Sequence, residues 1–591
     1  MSTVVDHPPT AAGYDPAAEY GRRLAARQAT VHRAARWNGR IALGRRLMLF
    51  AVIGYVVFDP TEAQALIPLG IALIPLLFWQ NAVLRVWRRA SRAAAYYEGG
   101  LARLENRWIG RGADGRRYVN DAHLYAEDLD IFGRGSLFQL LCTAQTPMGQ
   151  DTLAGWLSSP DDLPVIRTRQ QLVREMASSL DLREALASLD ADLGRVVPGA
   201  LVRWADAAAI CPSLVSRVVG VVAVWGATIA FVGALAAGGR WWLAFFAFGI
   251  LEAVFYLSRR GAARDVGRHV GDAGFALGVL YRLRAELHRR ADVPRALAGQ
   301  TAAIDRALAM PFGWMAEIYG LFLQNSFLHA LKVQGMPLWE IWRLRARPAV
   351  RAALAAAGEV ESLAALSAYA YERPADRYPE LVDDGPLFAG EGLAHPLMPP
   401  GVCVPNDVSL GGERCLVLIS GSNMSGKSTL LRTVGTNTVL ALAGAPVRAA
   451  RLTVSPIVLG TAMRFRDSVH EGASYFYAVL KRLRTVLDVV DRRRPLLFLF
   501  DEILQGTNSQ DRLTGAEALM RKLLDAGAIG LMTTHDLALT QIVDDLAPRA
   551  VNMHCEDQVE NGQMTFDYKL RPGVVTKSNA LALMRAMGLD V

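Results

Sequence analysis

One octapeptide constrains this chain more than any other feature: Gly421-Ser-Asn-Met-Ser-Gly-Lys-Ser428. It follows an apolar run, Cys415-Leu-Val-Leu-Ile419, and leads into Thr429-Leu-Leu-Arg432. Two glycines and a Gly-Lys-Ser ending, set between a buried strand and a helix, make the P-loop pattern. The glycines let backbone N–H groups close around phosphate oxygens, and the helix start adds the positive end of its dipole. The expected nucleotide contacts are Gly421, Ser422, Asn423, Met424, Ser425, Gly426, Lys427, Ser428 and Thr429. Lys427 should reach the β- and γ-phosphates of ATP, and the Ser428 hydroxyl should bind Mg²⁺.

A second apolar run, Pro495-Leu-Leu-Phe-Leu-Phe500, ends in Asp501 and Glu502. The carboxyl end of a strand is where an open α/β sheet holds its ligand. Asp501 is the expected Mg²⁺ holder, and Glu502 the base that polarises the attacking water. A third run, Ile529-Gly-Leu-Met-Thr-Thr534, ends in His535, placed to sense the γ-phosphate. Pro- and Gly-rich residues 371–400 mark the domain boundary before this alternating strand–helix region.

The rest of the chain is apolar and basic. Hydrophobic residues make up 52% of its 591, charged residues 20%, and the net charge is +8. The apolar excess is local. Leu47–Phe58 and Ala65–Trp79 flank an acidic turn, with Arg45 and Arg46 before the pair and Arg85, Arg88, Arg89 and Arg92 after it. Val218–Ala237 and Trp241–Leu257 repeat the pattern around Gly238-Gly-Arg240, with Arg217 before and Arg259, Arg260 and Arg264 after. Arginine outside both pairs and none in the first turn follows the positive-inside rule. Two transmembrane hairpins are expected, about four spans, with both chain ends and the middle region cytoplasmic. Glu252 lies inside the fourth span, near its cytoplasmic end, where pairing with arginine suits it. The first residues have no apolar core of a signal peptide, and five scattered cysteines without C-x-x-C fit a reducing compartment. The Ala- and Arg-rich stretch Pro16–Arg46 reads as a solvated helix leading to the membrane, or one touching headgroups or nucleic acid.

The motifs resemble those of the MutS family. Asn423-Met424 inside the loop is similar to that family's G-P-N-M-x-G-K-S-T, and Asp501-Glu-Ile-Leu-Gln-Gly-Thr-Asn508 to its D-E-I-G-R-G-T-S. Thr534-His535 resembles its A-T-H, and Glu471-Gly-Ala-Ser-Tyr-Phe476 its G-x-S-T-F. Phe566-x-Tyr568-x-Leu570 resembles the C-terminal tail. His395-Pro396 and Val404-Pro-Asn406-Asp407 resemble the nucleotide-pocket segment before the loop. Asp130–Phe138, Thr146-x-x-Gly149 and Leu153–Pro160 look like the start of the lever, or core, domain, and Glu359–Leu366 like its return helix.

The resemblance implies an ABC-type ATPase head on a helical lever, working as a homodimer in which Ser474 reaches the partner's nucleotide. It adds Asn406 to the nucleotide contacts and implies a part in binding DNA, mismatched DNA included. No F-x-E reader motif stands before residue 125, and Leu504 and Gln505 replace the family's Gly-Arg. The reading is therefore a multidomain α plus α/β chain: polar tail and basic helix 1–46, hairpin 47–84, core-like helical region 85–217, hairpin 218–257, helical lever 258–385 and ATPase domain 386–591. Its expected function is a membrane-anchored, multi-pass ATPase of the cytoplasmic membrane that binds DNA. The alternative is a membrane ATPase that remodels a protein or lipid partner without DNA. An ABC transporter fits less well, because no L-S-G-G-Q string precedes Asp501.

Overall fold

The structure, a computed structural model, describes residues 15–58, 66–189, 199–207, 213–309, 329–422, 425–464, 475–490, 494–505, 507–560 and 563–575. The chain divides into two compact units that interleave in sequence. One comprises Met1–Leu101, Thr143–Thr152 and Ser179–Ala364; the other Ala102–Cys142, Leu153–Ser178 and Ala365–Val591.

Long helices make up the first unit. Helix α1 (Pro16–Phe58) and α2 (Leu66–Leu104) run 43 and 39 residues. The short helices α3 (Leu137–Leu141), α4 (Pro147–Ser158), α5 (Leu163–Ala177), α6 (Leu180–Ala187) and α7 (Ala200–Asp206) follow in the chain, of which α3 and α5 belong to the second unit and α4 is divided between the two. Then come α8 (Leu214–Ala237), α9 (Arg240–Arg289, 50 residues), α10 (Ala298–Ala307) and α11 (His329–Glu372). Of the expected first hairpin, Leu47–Phe58 is the last part of α1, which passes through Arg45 and Arg46 unbroken. Alanine and arginine are both strong helix formers, so charge does not stop the helix there.

Helices α8 and α9 do form a hairpin, turning at Gly238-Gly239. Their packing is inverted relative to a water-soluble core. Small residues face inward: Ala223, Ala227, Ala230 and Ala234 are buried. A Cβ on Gly226 would stand 2.5 Å from the Phe248 ring, and one on Gly233 2.5 Å from the Trp241 ring. Large residues face outward: Val222, Trp225, Ile229 and Val232 on α8, Leu243, Phe246, Ile250 and Val254 on α9. Among the described residues one stretch, Val218–Ala237, is long and apolar enough to cross a membrane by length and composition. The other three expected spans do not reach that measure there.

The second unit holds two sheets. A four-stranded sheet orders β1 (Glu380–Leu381), β5 (Arg451–Val454), β2 (Leu387–Leu393) and β3 (Asn406–Gly411). A six-stranded sheet orders β10 (Gln563–Pro572), β9 (Ala550–Glu560), β4 (Leu416–Ser420), β8 (Ile529–Thr534), β7 (Leu496–Phe500) and β6 (Val458–Ala462). From β9 to β6 the strands are parallel, and β10 pairs antiparallel with β9. Strands β4, β7 and β8 are buried along their whole length, as their unbroken apolar runs demand. Helices α12 (Lys427–Leu442), α13 (Tyr475–Leu487), α14 (Ser509–Asp525) and α15 (Ala538–Asp545) are the helices described after β4.

The segment ahead of α3 plugs into this sheet. Thr461 on edge strand β6 donates its N–H to the Leu124 carbonyl at 2.9 Å. Buried Asp128 accepts from the Thr461 hydroxyl at 2.5 Å and the Arg464 N–H at 2.9 Å. Leu129 fills the space beside Gly435 of α12, where a Cβ would meet it at 2.7 Å.

Candidate nucleotide site

The register of the parallel strands gathers the three sequence motifs. Ser420 at the end of β4 pairs with Thr534 at the end of β8, and Phe500 of β7 pairs with Met532. The loop after β4, the carboxylates after β7 and the histidine after β8 therefore emerge side by side.

Gly421 and Gly426 are positions only glycine serves. Gly421 has φ +147° and a Cβ there would lie 2.7 Å from the Cys555 carbonyl oxygen. Gly426 has φ +90° and a Cβ would lie 2.9 Å from the Tyr568 ring. Between them Ser425 closes a turn, its hydroxyl donating to the Ser422 carbonyl at 2.8 Å. The Ser422 hydroxyl oxygen is buried without a partner among the described residues. Gly426 caps the start of α12, so the Ser428 and Thr429 N–H groups lie in its first turn, the electropositive end. Asn423, Met424 and Ser474 lie outside the described residues.

Lys427 is buried, and its Nζ donates to the Gly421 and Ser422 carbonyls at 2.8 and 2.7 Å. It stands 3.7 Å from Glu502 Oε1. Burial pushes its pKa down, while Glu502 and Asp501 pull the other way. Glu502 takes a left-handed φ of +47°, which turns its side chain back toward the loop. Its Oε2 accepts from Gln505 Nε2 at 2.5 Å and lies 3.5 Å from His535 Nδ1. Asp501 Oδ1 accepts from the Thr533 hydroxyl at 2.5 Å, and the same hydroxyl accepts the Glu502 N–H at 3.1 Å. Thr533 thus ties both carboxylate residues to β8, a role the sequence motifs alone did not mark.

Asn406, an expected nucleotide contact, turns its amide to the backbone of β10. Its Nδ2 donates to the Tyr568 carbonyl at 2.9 Å, and its Oδ1 accepts the Leu570 N–H at 2.8 Å. Both ends of the amide are spent on a bulge in β10 between Phe566 and Leu570. Tyr568, at φ +54°, is the residue thrown out by that bulge. Its half-exposed ring rests against Gly426 and stacks with Phe566 at 5.8 Å. An exposed aromatic face beside the phosphate loop is a platform for a base.

These residues fit ATP with Mg²⁺. The loop is a cradle that a Cβ would fill, and Ser428 and Asp501 offer the hard oxygens that Mg²⁺ takes alongside phosphate. No cluster of three or more metal-ligating side chains occurs among the described residues.

Comparison with known proteins gives the same grouping. MutS domain V matches residues 417–590, and MutS domain III matches residues 124–212. The chain belongs to the MutS family. It is 35% identical over 246 residues to the DNA mismatch repair protein MutS 2 of Halobacterium salinarum, a match covering 41% of this chain and 27% of that protein. It is 34% identical over 243 residues to the DNA mismatch repair protein MutS of Natronomonas pharaonis, covering 40% and 27%. The Endonuclease MutS2 of Brevibacillus brevis is 31% identical over 198 residues, 33% of this chain and 24% of that protein. The chain thus spans about a quarter of the length of these MutS relatives. MutS domain III covers the plug at Leu124–Leu129, and MutS domain V covers the P-loop, Asp501, Glu502 and His535.

Proposed function

We propose that this MutS-family chain is a membrane-anchored ATPase that hydrolyses ATP in a homodimer and couples hydrolysis to DNA. The observation that carries the ATPase reading is the convergence of Lys427, Glu502 and His535, within 3.7 Å of one another through the Glu502 carboxylate. The loop N–H groups and Lys427 hold the phosphates of the substrate. Ser428 and Asp501 hold Mg²⁺, which when bound neutralises charge between the phosphates. Glu502 accepts the proton of the water that attacks the γ-phosphorus, as the bond to the leaving ADP oxygen breaks. His535 lies against the same carboxylate and stabilises it as it takes that proton. Thr533 keeps Asp501 and Glu502 in register, and Tyr568 gives the base a surface to stack on. Ser474, in the signature segment, serves the site of a partner subunit.

The inverted packing of α8 and α9 supports the membrane anchor. Small residues inside and large apolar residues outside suit a lipid surround, where helices associate through close packing. In water the same surface would leave a large apolar patch uncovered. The names of the relatives, which are mismatch repair proteins and endonucleases, support DNA as the coupled ligand. The exposed apolar helices favour a second reading, remodelling of a membrane partner without DNA.

ATP turnover by the purified full chain, alone and with duplex, mismatched and branched DNA, tests the proposal. Stimulation by any DNA supports coupling. Turnover indifferent to every DNA, with no DNA retained at low salt, removes the DNA part and leaves the second reading. Extraction of the chain from membranes by alkaline carbonate removes the anchor.

A further inference from the structure

We propose that the base of the α1–α2 pair is a collar for anionic phospholipid headgroups, a reading that rests on the membrane anchoring above. The two helices meet at a defined level. Gln80 Nε2 donates to Asn38 Oδ1 at 3.2 Å, and the Trp37 and Trp79 rings stand 5.5 Å apart. Both tryptophans are exposed, as is Trp87. Exposed tryptophan at one level on neighbouring helices is the pattern of a membrane interface.

The surface changes character across that level. On one side, past the exposed Arg40, Arg45 and Arg46 of α1, the exposed side chains are apolar: Leu47, Leu49, Phe50 and Ile53 on α1, and Phe78 on α2. On the other they are cationic: Arg33 and Arg36 on α1, and Arg85 and Arg88 on α2, with Arg40 just across the level over the Trp37 ring. At 1.5 Å per residue these five lie within about 12 Å of the Asn38–Gln80 contact, the depth of a headgroup layer plus the reach of a side chain. Arg45 starts on the apolar side and bends back, its Nη1 donating to Gln80 Oε1 at 3.0 Å, as a snorkelling cation does.

Charge complementarity selects the occupant. Residues 31–58 and 66–97 contain nine arginines and no Asp or Glu. Arg89 is paired with Glu286 at 3.0 Å, and Arg92 donates to the Leu189 carbonyl at 2.5 Å. Arg33, Arg36, Arg40, Arg85 and Arg88 have no acidic partner among the described residues. A protein helix pair in water normally intersperses both signs. A DNA duplex laid on these arginines would leave the adjoining leucine and phenylalanine band in water. An anionic leaflet covers both, phosphates on the arginines and acyl chains on the band.

The test uses the full chain reconstituted in vesicles of phosphatidylcholine, with and without phosphatidylglycerol. Spin-labelled phosphatidylglycerol and spin-labelled phosphatidylcholine report the relative association of each lipid with the protein. Wild type should prefer phosphatidylglycerol by about fivefold or more, since each arginine near an anionic surface contributes about that factor. The preference should shrink as salt is raised. Replacing Arg33, Arg36, Arg85 and Arg88 together by Gln should bring it close to unity, and replacing them by Lys should retain it. Equal association of both lipids in wild type overturns the proposal. So does a preference unchanged in the Gln variant, or one abolished by inorganic phosphate or by duplex DNA. Alkaline carbonate applied to the same vesicles separates the two readings. A chain that stays in the vesicles without lipid preference loses the collar alone, and a chain that is released loses the anchor and the collar together.

Discussion

Replacing Glu361 by Gln should make the protein more stable, and more so as pH rises. Glu361 sits on α11 with its carboxylate buried. Oε2 accepts the N–H groups of Gln145 and Thr146 at 3.1 and 3.0 Å, just ahead of α4. Oε1 has no partner among the described residues. Burial is the dominant influence, and it raises the pKa from 4.5 to about 7 against the hydrogen bonds that lower it. Between those values the folded chain keeps a proton that the unfolded chain has released. Stability therefore falls as pH climbs from about 4.5 to about 7 and is level above that. At about 1.4 kcal/mol per pH unit, the loss totals about 3 kcal/mol. Gln carries no charge and keeps an oxygen for the two N–H groups. The variant should match wild type near pH 4.5 and exceed it by up to about 3 kcal/mol near pH 8. Paired denaturant melts across that range measure the difference, in which every other titrating group cancels. A difference flat in pH, or one that favours wild type at high pH, refutes the reasoning.

Two further substitutions probe the nucleotide site. Asn406→Ala removes both hydrogen bonds that shape the Tyr568 bulge, about 1 kcal/mol each, so ATP binding should weaken by up to about thirtyfold while kcat changes little. Titration with a fluorescent ATP analogue and steady-state kinetics check this, and a kcat loss at unchanged affinity contradicts it. Thr533→Val keeps the shape but deletes the hydroxyl between Asp501 and Glu502. Hydrolysis should fall about ten- to a hundredfold with binding intact, because the lost bonds are to a carboxylate and its neighbouring N–H. Full turnover in that variant would show that the two acids need no tie to β8.

The sequence made the nucleotide site legible because its chemistry is local. A strand, a glycine loop and a helix are contiguous at Leu416–Leu442, and the carboxylates and histidine sit at the ends of buried apolar runs. Parallel pairing of β4, β8 and β7 then brings the three strand ends together, as the α/β alternation implied. The remainder depends on contacts between distant residues. Asn406 and Tyr568 meet across 162 positions, and only a bulge in β10 explains why the amide faces protein. The plug of Leu124–Leu129 into β6 was hidden for the same reason: Asp128 and Thr461 are 333 positions apart. At the first apolar pair the helix runs on through Arg45 and Arg46, because charge marks a membrane boundary without interrupting helical hydrogen bonding. The inverted packing of α8 on α9 was half visible: the alanine and glycine spacing is in the sequence, but the Phe248 and Trp241 rings that fill against it are not.

The central claim is that Glu502 serves a MutS-type ATPase site shared between two subunits. Glu502→Gln in the full chain tests it most directly, with turnover, ATP binding and subunit number measured on one preparation. The account predicts wild-type hydrolysis, a loss of about a hundredfold or more in the variant, unimpaired ATP binding, and a dimer that persists while ATP is bound. Wild-type turnover in the variant, or a variant that binds ATP and remains a monomer, contradicts it.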